Sequence, residues 1–339
     1  MFKNLATPVL CLALLGSILL AIGLGPAAVP PAGTARLLGA AVFGGTIRAD
    51  EVPLYEIVWQ LRTPRVLLAA LVGAGLAAVG VAVQALVRNP LADPFVLGVS
   101  SGASVGAVAV LVTGSLAALG VHALSVGAFL GALAATALVG LVARGGSPLR
   151  LVLTGIALAY AFQAGMALLV YLVPQGESTA TVLFWSLGGF GGATWESLPV
   201  VAVVVVAGAV VLWRNARDLD VLALGDETAV GSGVDVRVLR RRLFVLTSVM
   251  TGAMVAVSGA IGFVGLIVPH LVRMVAGASH SAVLVIAPLV GALLAVWVDL
   301  LARTVVAPRE LPIGVVTALV GVPVFLALVR RRGYVFGGT

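Results

Sequence analysis

The chain has 339 residues, of which 61% are aliphatic, aromatic or Cys and only 10% are charged, and its mean hydropathy is +1.19. A soluble domain carries about 25% charged residues. Because no single core could bury so much apolar surface, most of the chain is predicted to lie in lipid. The one lysine, Lys3, is near the N-terminus, which excludes ATP hydrolysis by a phosphate loop, since such a loop holds its own lysine.

Metal and nucleic-acid chemistry are also disfavoured. The lone Cys11 excludes an internal disulfide and a cysteine cluster. The three histidines, His122, His270 and His280, are far apart and share no i,i+4 spacing. The net charge of +7 is better explained by arginines at membrane edges than by nucleic-acid binding. Serine and histidine are present, but no nucleophile motif indicates an intramembrane hydrolase.

Long apolar blocks follow one another along the chain, and a spanning helix needs about 20 apolar residues. The first block is interpreted as a retained helix, because its apolar run exceeds that of a typical signal peptide. A nine-span count is the rival, since the eighth block is short and contains Pro269. The ten predicted spans are 8–28, 64–87, 95–113, 119–143, 150–172, 197–213, 242–260, 262–275, 282–304 and 311–329.

Arginine placement predicts the orientation of these spans. With the N-terminus inside, the inside loops hold 14 of the 20 basic residues, so both termini are expected in the cytoplasm. Arg62, Arg65 and Arg303 are exceptions on the predicted outer side. They are interpreted either as interfacial anchors with snorkelling stems or as an outward basic patch for an acidic partner.

Glycines recur at four-residue intervals in two neighbouring blocks. Gly98, Gly102 and Gly106 form one series, and Gly127 and Gly131 form another. Since glycine allows helix backbones to approach closely in lipid, the pattern predicts a tightly packed helical bundle.

The loop 214–241 is unusually patterned for a connector. Apolar residues alternate with acids, and Gly225, Gly231 and Gly233 divide it into short pieces. The pattern predicts two short helices with a turn between them. Such a pair could dock into a groove on a soluble partner, or lie on the membrane without one.

Six short stretches carry a resemblance to a known family. They are Arg-Thr-Pro-Arg at 62–65, Arg-Asn-Pro-Leu-Ala-Asp-Pro at 88–94, Leu-Gly-Val-Ser-Ser-Gly at 97–102, Leu-Ala-Leu-Gly at 222–225, Gly-Phe-Val-Gly-Leu-Ile-Val-Pro-His at 262–270 and Glu-Leu-Pro-Ile-Gly-Val-Val-Thr at 310–317. With these motifs in this order, the chain resembles FecCD-type permease subunits of ABC importers for iron–siderophores, haem and cobalamin.

The resemblance implies an all-α, polytopic permease with ten transmembrane helices and the type II ABC importer architecture, forming one transmembrane domain over 1–339 with a cytoplasmic coupling loop at 214–241. It implies a homodimer in the bacterial inner membrane, cytoplasmic ATPase subunits and an extracytoplasmic substrate-binding protein. No cofactor is expected on this chain, and ATP is used by the partner.

The resemblance also assigns roles to residues. Arg62, Arg65 and Arg303 would dock the binding protein, and the 221–236 part of the loop would couple to the ATPase. The cytoplasmic gate would comprise Asn89, Leu91, Pro148 and Leu149, although Ser147-Pro148-Leu149 departs from the small hydroxylated residues that related permeases often show. The translocation path would include Tyr160, Gln163 and Met166. The expected coupling residues are Leu222, Leu224, Gly225, Asp226, Glu227, Ala229 and Gly233.

An ion-coupled secondary transporter is the alternative from another class. It would need an acidic or polar cluster at the membrane midplane, but nearly every acid falls in a loop. Asp299 and Arg303 are expected to form an i,i+4 ion pair, and His270 is interpreted as a packing residue. The stretch 178–192 is interpreted either as a half-helix or as an interfacial aromatic anchor.

Overall fold

The computed structural model describes residues 2–27, 29–143, 148–172 and 186–331. These ranges contain helices and turns and no strand, which confirms the all-α prediction. The α-helices longer than five residues are α1 Phe2–Gly23, α2 Pro31–Phe43, α3 Thr63–Val87, α4 Val99–Thr113, α5 Ala123–Val142, α6 Pro148–Leu172, α7 Leu198–Arg214, α8 Ala216–Ala223, α9 Asp226–Gly231, α10 Val236–Ser258, α11 Val264–Ala276, α12 His280–Thr304 and α13 Ile313–Arg331.

Each of the ten predicted spans coincides with one apolar helix. Within the described residues, six helical runs are long and apolar enough to cross a membrane, and α7 with α8, bent by 59°, makes a seventh if the pair is counted as one span. The other three apolar helices, Val99–Thr113, Val264–Ala276 and Ile313–Leu328, are shorter. Helices α10 and α11 are separate within the described residues, but α11 has only 13 residues, so the choice between nine and ten spans stays a prediction.

Helix α3 lies at the centre of the bundle, between α12, α10, α11 and α7. Its backbone approaches its neighbours at glycines. A Cβ added at Gly73 would overlap the carbonyl oxygen of Gly291, and one at Gly80 would overlap that of Gly265. Glycine at these crossings therefore permits backbone contact that a larger residue would prevent.

The predicted glycine packing joins α4 to α5. A Cβ on Gly102 would meet the carbonyl oxygen of Gly131, and one on Gly106 would meet that of Gly127. The four-residue spacing thus places one glycine face of each helix against the other, as predicted from the sequence.

The segment between α1 and α3 was not predicted as helical. Helix α2 begins with Pro31 in its first turn, where a missing N–H costs no hydrogen bond, and ends at Gly44 with φ +78°. Short helical turns at Ala49–Glu51, Val52–Tyr55 and Glu56–Arg62 then continue into α3.

The 214–241 loop contains the two short helices that its pattern predicted, α8 and α9. Gly225 separates them with φ +121°, a backbone conformation that glycine adopts without strain. Asp235 then accepts a hydrogen bond of 3.0 Å from the Val238 backbone N–H and caps α10.

Candidate functional site

Charged side chains gather at one end of the bundle, here called the arginine end. It comprises Arg62 and Arg65 at the start of α3, Asp299 and Arg303 at the end of α12, and Glu310 in the turn before α13. These residues are up to 248 positions apart in the chain, so only the packing of α3 against α12 brings them together.

Arg65 joins two acids at the arginine end. Its Nε donates to Asp299 Oδ1 at 2.8 Å, and its Nη1 donates to Glu310 Oε1 at 2.7 Å. The Arg65 side chain keeps 13% of its surface exposed and that of Glu310 keeps 35%, whereas that of Asp299 is fully buried. Arg65 therefore links the buried charge of α12 to the protein surface.

Arg62 is buried and is bonded to backbone. Its Nη1 donates to the carbonyl oxygens of Ile22 at 3.2 Å and Gly23 at 3.0 Å, and its Nη2 donates to that of Ala27 at 2.5 Å. The last carbonyls of a helix have no partner within the helix. Arg62 supplies partners for those at the end of α1.

Arg303 completes the same arrangement from α12. Its Nη2 donates to the Ala21 carbonyl oxygen, and its Nε lies 3.3 Å from Asp299 Oδ2, which confirms the predicted i,i+4 ion pair. Arg62 and Arg303 are only 5% and 2% exposed. The expectation of three outward-facing arginines is thus corrected to one partly exposed guanidinium, that of Arg65, and docking of a binding protein by these residues stays a prediction.

The opposite end of the bundle carries α8 and α9, here called the α8–α9 end. Arg240 on α10 donates to both carboxylate oxygens of Asp226, at 2.9 and 2.8 Å. Arg88, at the end of α3, lies 3.7 Å from the same carboxylate. Asp226, the first residue of α9, therefore contacts two spanning helices, α3 and α10.

A second acid ties α8 to α12. Asp220 Oδ1 accepts a hydrogen bond of 2.8 Å from the His280 backbone N–H, and the same oxygen lies 2.7 Å from His280 Nδ1. Leu219 and Leu222 of α8 are fully buried beside this contact. Helix α8 is thus fixed to the bundle, and the sequence offered no signal for this pairing because Asp220 and His280 lie 60 residues apart.

The predicted coupling residues divide between the bundle and the surface. Leu222 and Ala229 are fully buried, whereas Leu224 is 72% exposed, an unusual position for a large apolar side chain. The remaining predicted coupling residues that are exposed at this end are Glu227 and Gly233.

The turn after α3 holds the predicted gate residues Asn89 and Leu91. Arg88 ends the helix with φ +55°, and the Asn89 N–H donates to the Gln84 carbonyl oxygen at 3.0 Å. The Leu91 N–H donates to Asn89 Oδ1 at 2.9 Å, which closes the turn. We call residues 88–91 the gate turn.

Gln84, in the last turn of α3 just before the gate turn, makes two polar contacts with α11. Gln84 Nε2 donates to the Leu266 carbonyl oxygen at 3.1 Å, and Gln84 Oε1 accepts from Arg273. Asp93 accepts from the backbone N–H groups of Phe95, at 2.8 Å, and Phe263. Loss of hydration raises the pKa of the Asp93 carboxyl, and these N–H groups oppose that rise.

The second predicted gate layer is only partly described. Pro148 begins α6 and the Leu149 side chain is 65% exposed, whereas Ser147 lies outside the described residues. The stretch 178–192 is described only from Ser186 onward. There Gly189 N–H donates to the Ser258 carbonyl oxygen at 2.8 Å, and Phe190 is fully buried.

Helix α6, which carries the predicted path residues, packs against α4 and the turn before it but leaves most of its side chains uncovered by its own chain. Only 6% of its most apolar stretch is buried, against 83% for the run that contains α3. Tyr160 is 69% exposed and Gln163 is also exposed. Met166 Sδ lies 3.9 Å from the Ser186 hydroxyl.

No metal site is formed within the described ranges. They contain no group of three or more His, Cys, Asp or Glu side chains placed to bind one ion. His270, interpreted from the sequence as a packing residue, is 5% exposed in α11.

Comparison with known proteins agrees with this geometry. The haemin transport system permease protein HmuU of Yersinia pestis is 40% identical over 283 residues, covering 82% of this chain and 84% of HmuU. The cobalamin import system permease protein BtuC of Halobacterium salinarum is 42% identical over 277 residues, covering 81% of this chain and 74% of BtuC.

A solved structure has the same fold. An inward-facing metal-chelate type ABC transporter superposes with a TM-score of 0.83 at 33% identity, over 95% of this chain and 98% of that chain. Residues 12–331 match the profile of the FecCD transport family. The chain therefore belongs to the FecCD transport family and is a multi-pass permease subunit of an ABC importer, in which separate ATPase subunits hydrolyse the ATP.

Proposed function

We propose that two copies of this permease import a metal chelate along a path between their facing α6 helices. ATPase subunits would bind at the α8–α9 end, and a substrate-binding protein would deliver the chelate at the arginine end. Both termini would then lie in the cytoplasm of the bacterial cell, as arginine placement predicts.

The observation that carries the proposal is the exposure of polar side chains on α6. Gln163 and Tyr160 lie on a helix that its own chain barely covers. A glutamine facing lipid would leave its amide without hydrogen-bond partners, which is costly. A second copy of the chain around a water-filled path would remove that cost.

The chemistry of this helix also supports a bulky chelate as cargo. Residues 151–172 contain tyrosines, a glutamine and a methionine but no charged residue. A weakly polar wall without charged residues lets a large complex pass without holding it tightly. The haem, cobalamin and metal-chelate transporters that resemble this chain carry cargoes of this kind.

Cross-linking tests the dimer. In a Cys11→Ser background, Gln163→Cys should be joined between two copies by a thiol-specific bifunctional reagent long enough to cross the path. Val203→Cys on α7 is the matched control, because Val203 is 66% exposed but lies on an apolar helix that should face lipid. Equal cross-linking at both positions would contradict a specific α6 interface.

Transport in vesicles tests the cargo. Proteoliposomes holding the permease and its ATPase are supplied with binding protein and with ferric hydroxamate, ferric citrate, haemin or cyanocobalamin in parallel. ATP-dependent accumulation of at least one chelate is expected, and an ATPase lacking its catalytic glutamate should abolish it. Accumulation driven by a proton gradient without ATP would instead support the secondary-transporter alternative.

A further inference from the structure

We propose that the Asp226 carboxylate is a positioning group that transmits the movement of α9 to the gate turn through Arg88. The inference rests on the proposed function, since it concerns how an ATPase bound at the α8–α9 end reaches the path. It assigns to Arg88, Asp226 and Arg240, here called the Asp226 cluster, a role in coupling rather than in stability.

Helices α8 and α9 are attached to the bundle in different ways. Helix α8 is fixed by the fully buried Leu219 and Leu222 and by the contact between Asp220 and His280. Helix α9 has only Ala229 buried and is joined to α8 through Gly225, with φ +121°. The backbone freedom of glycine makes this joint the point at which α9 can turn relative to α8.

Asp226 follows that joint directly, so any rotation of α9 moves its carboxylate. Arg240, in the first turns of α10, donates a hydrogen bond to each carboxylate oxygen, and this bidentate contact orients the carboxylate. Arg88 Nη1 lies 3.7 Å from Asp226 Oδ1, an oxygen that Arg240 also contacts. The Asp226 carboxylate therefore moves with α9 and is paired with arginines of two spanning helices.

Arg88 leads directly into the gate turn. Its own backbone ends α3 in the left-handed region, at φ +55°, an uncommon conformation for a residue other than glycine. Asn89 follows it, and the side chain of Asn89 closes the turn by accepting from the Leu91 N–H. Because Arg88 is itself the first residue of the gate turn, its movement acts on the turn directly rather than through a distant helix.

The exposure of the cluster fits a contact that forms and breaks. The side chains of Arg88 and Asp226 keep 45% and 44% of their surface exposed. Partly exposed ion pairs add little to folding stability, because water and salt screen them. A buried pair such as that between Arg65 and Asp299 could not open and close at comparably low cost.

The first test measures chelate uptake per ATP hydrolysed in the proteoliposomes described above, supplied with the same four chelates. Arg88→Gln and Asp226→Asn should each lower this ratio about fivefold or more, while ATP hydrolysis continues. Arg88→Lys should restore most of it. Arg241→Gln, which removes the same charge from an exposed position on α10, is the matched control and should leave the ratio unchanged.

The second test fixes the contact covalently. In a Cys11→Ser background, Arg88→Cys with Asp226→Cys is joined by a short reducible bifunctional reagent. Because this variant lacks both charges, its uptake per ATP should start about fivefold or more below that of the wild type. Cross-linking should stop the remaining uptake and reduction should return it to that starting level, a result that a purely structural role would not give.

The outcomes separate the two proposals. If the wild-type protein imports a chelate but the variants keep a normal ratio, or the cross-linked protein still imports it, the role of Asp226 is refuted and the proposed function stands. If the wild type hydrolyses ATP but accumulates none of the four chelates, the proposed function fails and the inference fails with it.

Discussion

Arg65 and Asp299, 234 residues apart in the chain, meet at 2.8 Å where the start of α3 packs against the end of α12. Asp299 is fully buried and also faces Arg303 across 3.3 Å. Ionised groups leave water only at a high cost unless they are paired. This contact therefore fixes how the two central helices align at the arginine end, and it leaves one arginine near the surface.

Removal of the Asp299 charge should destabilise the protein strongly. Asp299→Asn would leave Arg65 and Arg303 close together without their shared acid, and breaking a buried pair costs roughly 3–5 kcal/mol. The free energy of unfolding in detergent, measured by denaturant titration, should fall by that order. Asp50→Asn, at an acid whose side chain is 68% exposed, is the control. A loss below about 1 kcal/mol for Asp299→Asn would contradict the pairing.

Arg62 should act as a structural group for the end of α1. Arg62→Ala removes donors from the carbonyl oxygens of Ile22, Gly23 and Ala27, so a loss of roughly 2–4 kcal/mol is expected. Proteolysis of the 24–31 segment should also become faster, because that segment loses its attachment to α3. Arg48→Ala, at an arginine whose side chain is 73% exposed, should change neither measurement.

Docking of the binding protein should depend on Arg65 and, in the opposite direction, on Glu310. Glu310 pairs with the partly exposed guanidinium of Arg65, so Glu310→Gln should raise the association rate roughly twofold to tenfold at low salt. Arg65→Gln should lower it by a similar factor. Surface plasmon resonance at two ionic strengths measures both effects.

Arg309→Gln provides the control for docking, because Arg309 is exposed in the same turn. An equal change in rate for Arg309→Gln and Arg65→Gln would mean that the net charge of this end, and not Arg65, steers the partner.

Close backbone contact should make the central glycines intolerant of a methyl group. Gly73→Ala would press a Cβ into the carbonyl oxygen of Gly291, and overpacking of this kind costs about 1–3 kcal/mol. Gly16→Ala in α1 meets nothing within 4 Å and should be neutral or slightly stabilising. Thermal unfolding in detergent distinguishes the two variants, and equal midpoints would contradict the contact.

The sequence predicted the helices well and the side-chain contacts between distant helices poorly. Ten apolar blocks became ten helices, and the alternation of acids with apolar residues in 214–241 became α8 and α9. The four-residue spacing of glycines predicted the contact between α4 and α5. Each of these signals is local, because length, periodicity and glycine spacing act within one or two neighbouring helices.

The expectation that Arg62 and Arg303 are exposed was wrong, because a charge at the end of a span does not reveal whether the side chain is buried. Arg62 and Arg303 occur at span ends, where snorkelling or an exposed patch was expected, yet both are buried and donate to carbonyl oxygens at the end of α1. The contact of Asp220 with His280 and that of Gln84 with Arg273 were not predicted at all. Nothing near either residue in the sequence marks its partner.

By itself, the sequence determined that this chain is a helical bundle in a membrane, and it determined which segments cross that membrane. The reason is that apolar length and composition alone decide whether a helix can leave water. Only the tertiary structure decided which charges are shared, which helix stays uncovered and how close α9 lies to the end of α3. Those properties depend on distances between residues far apart in the chain, and packing alone sets such distances.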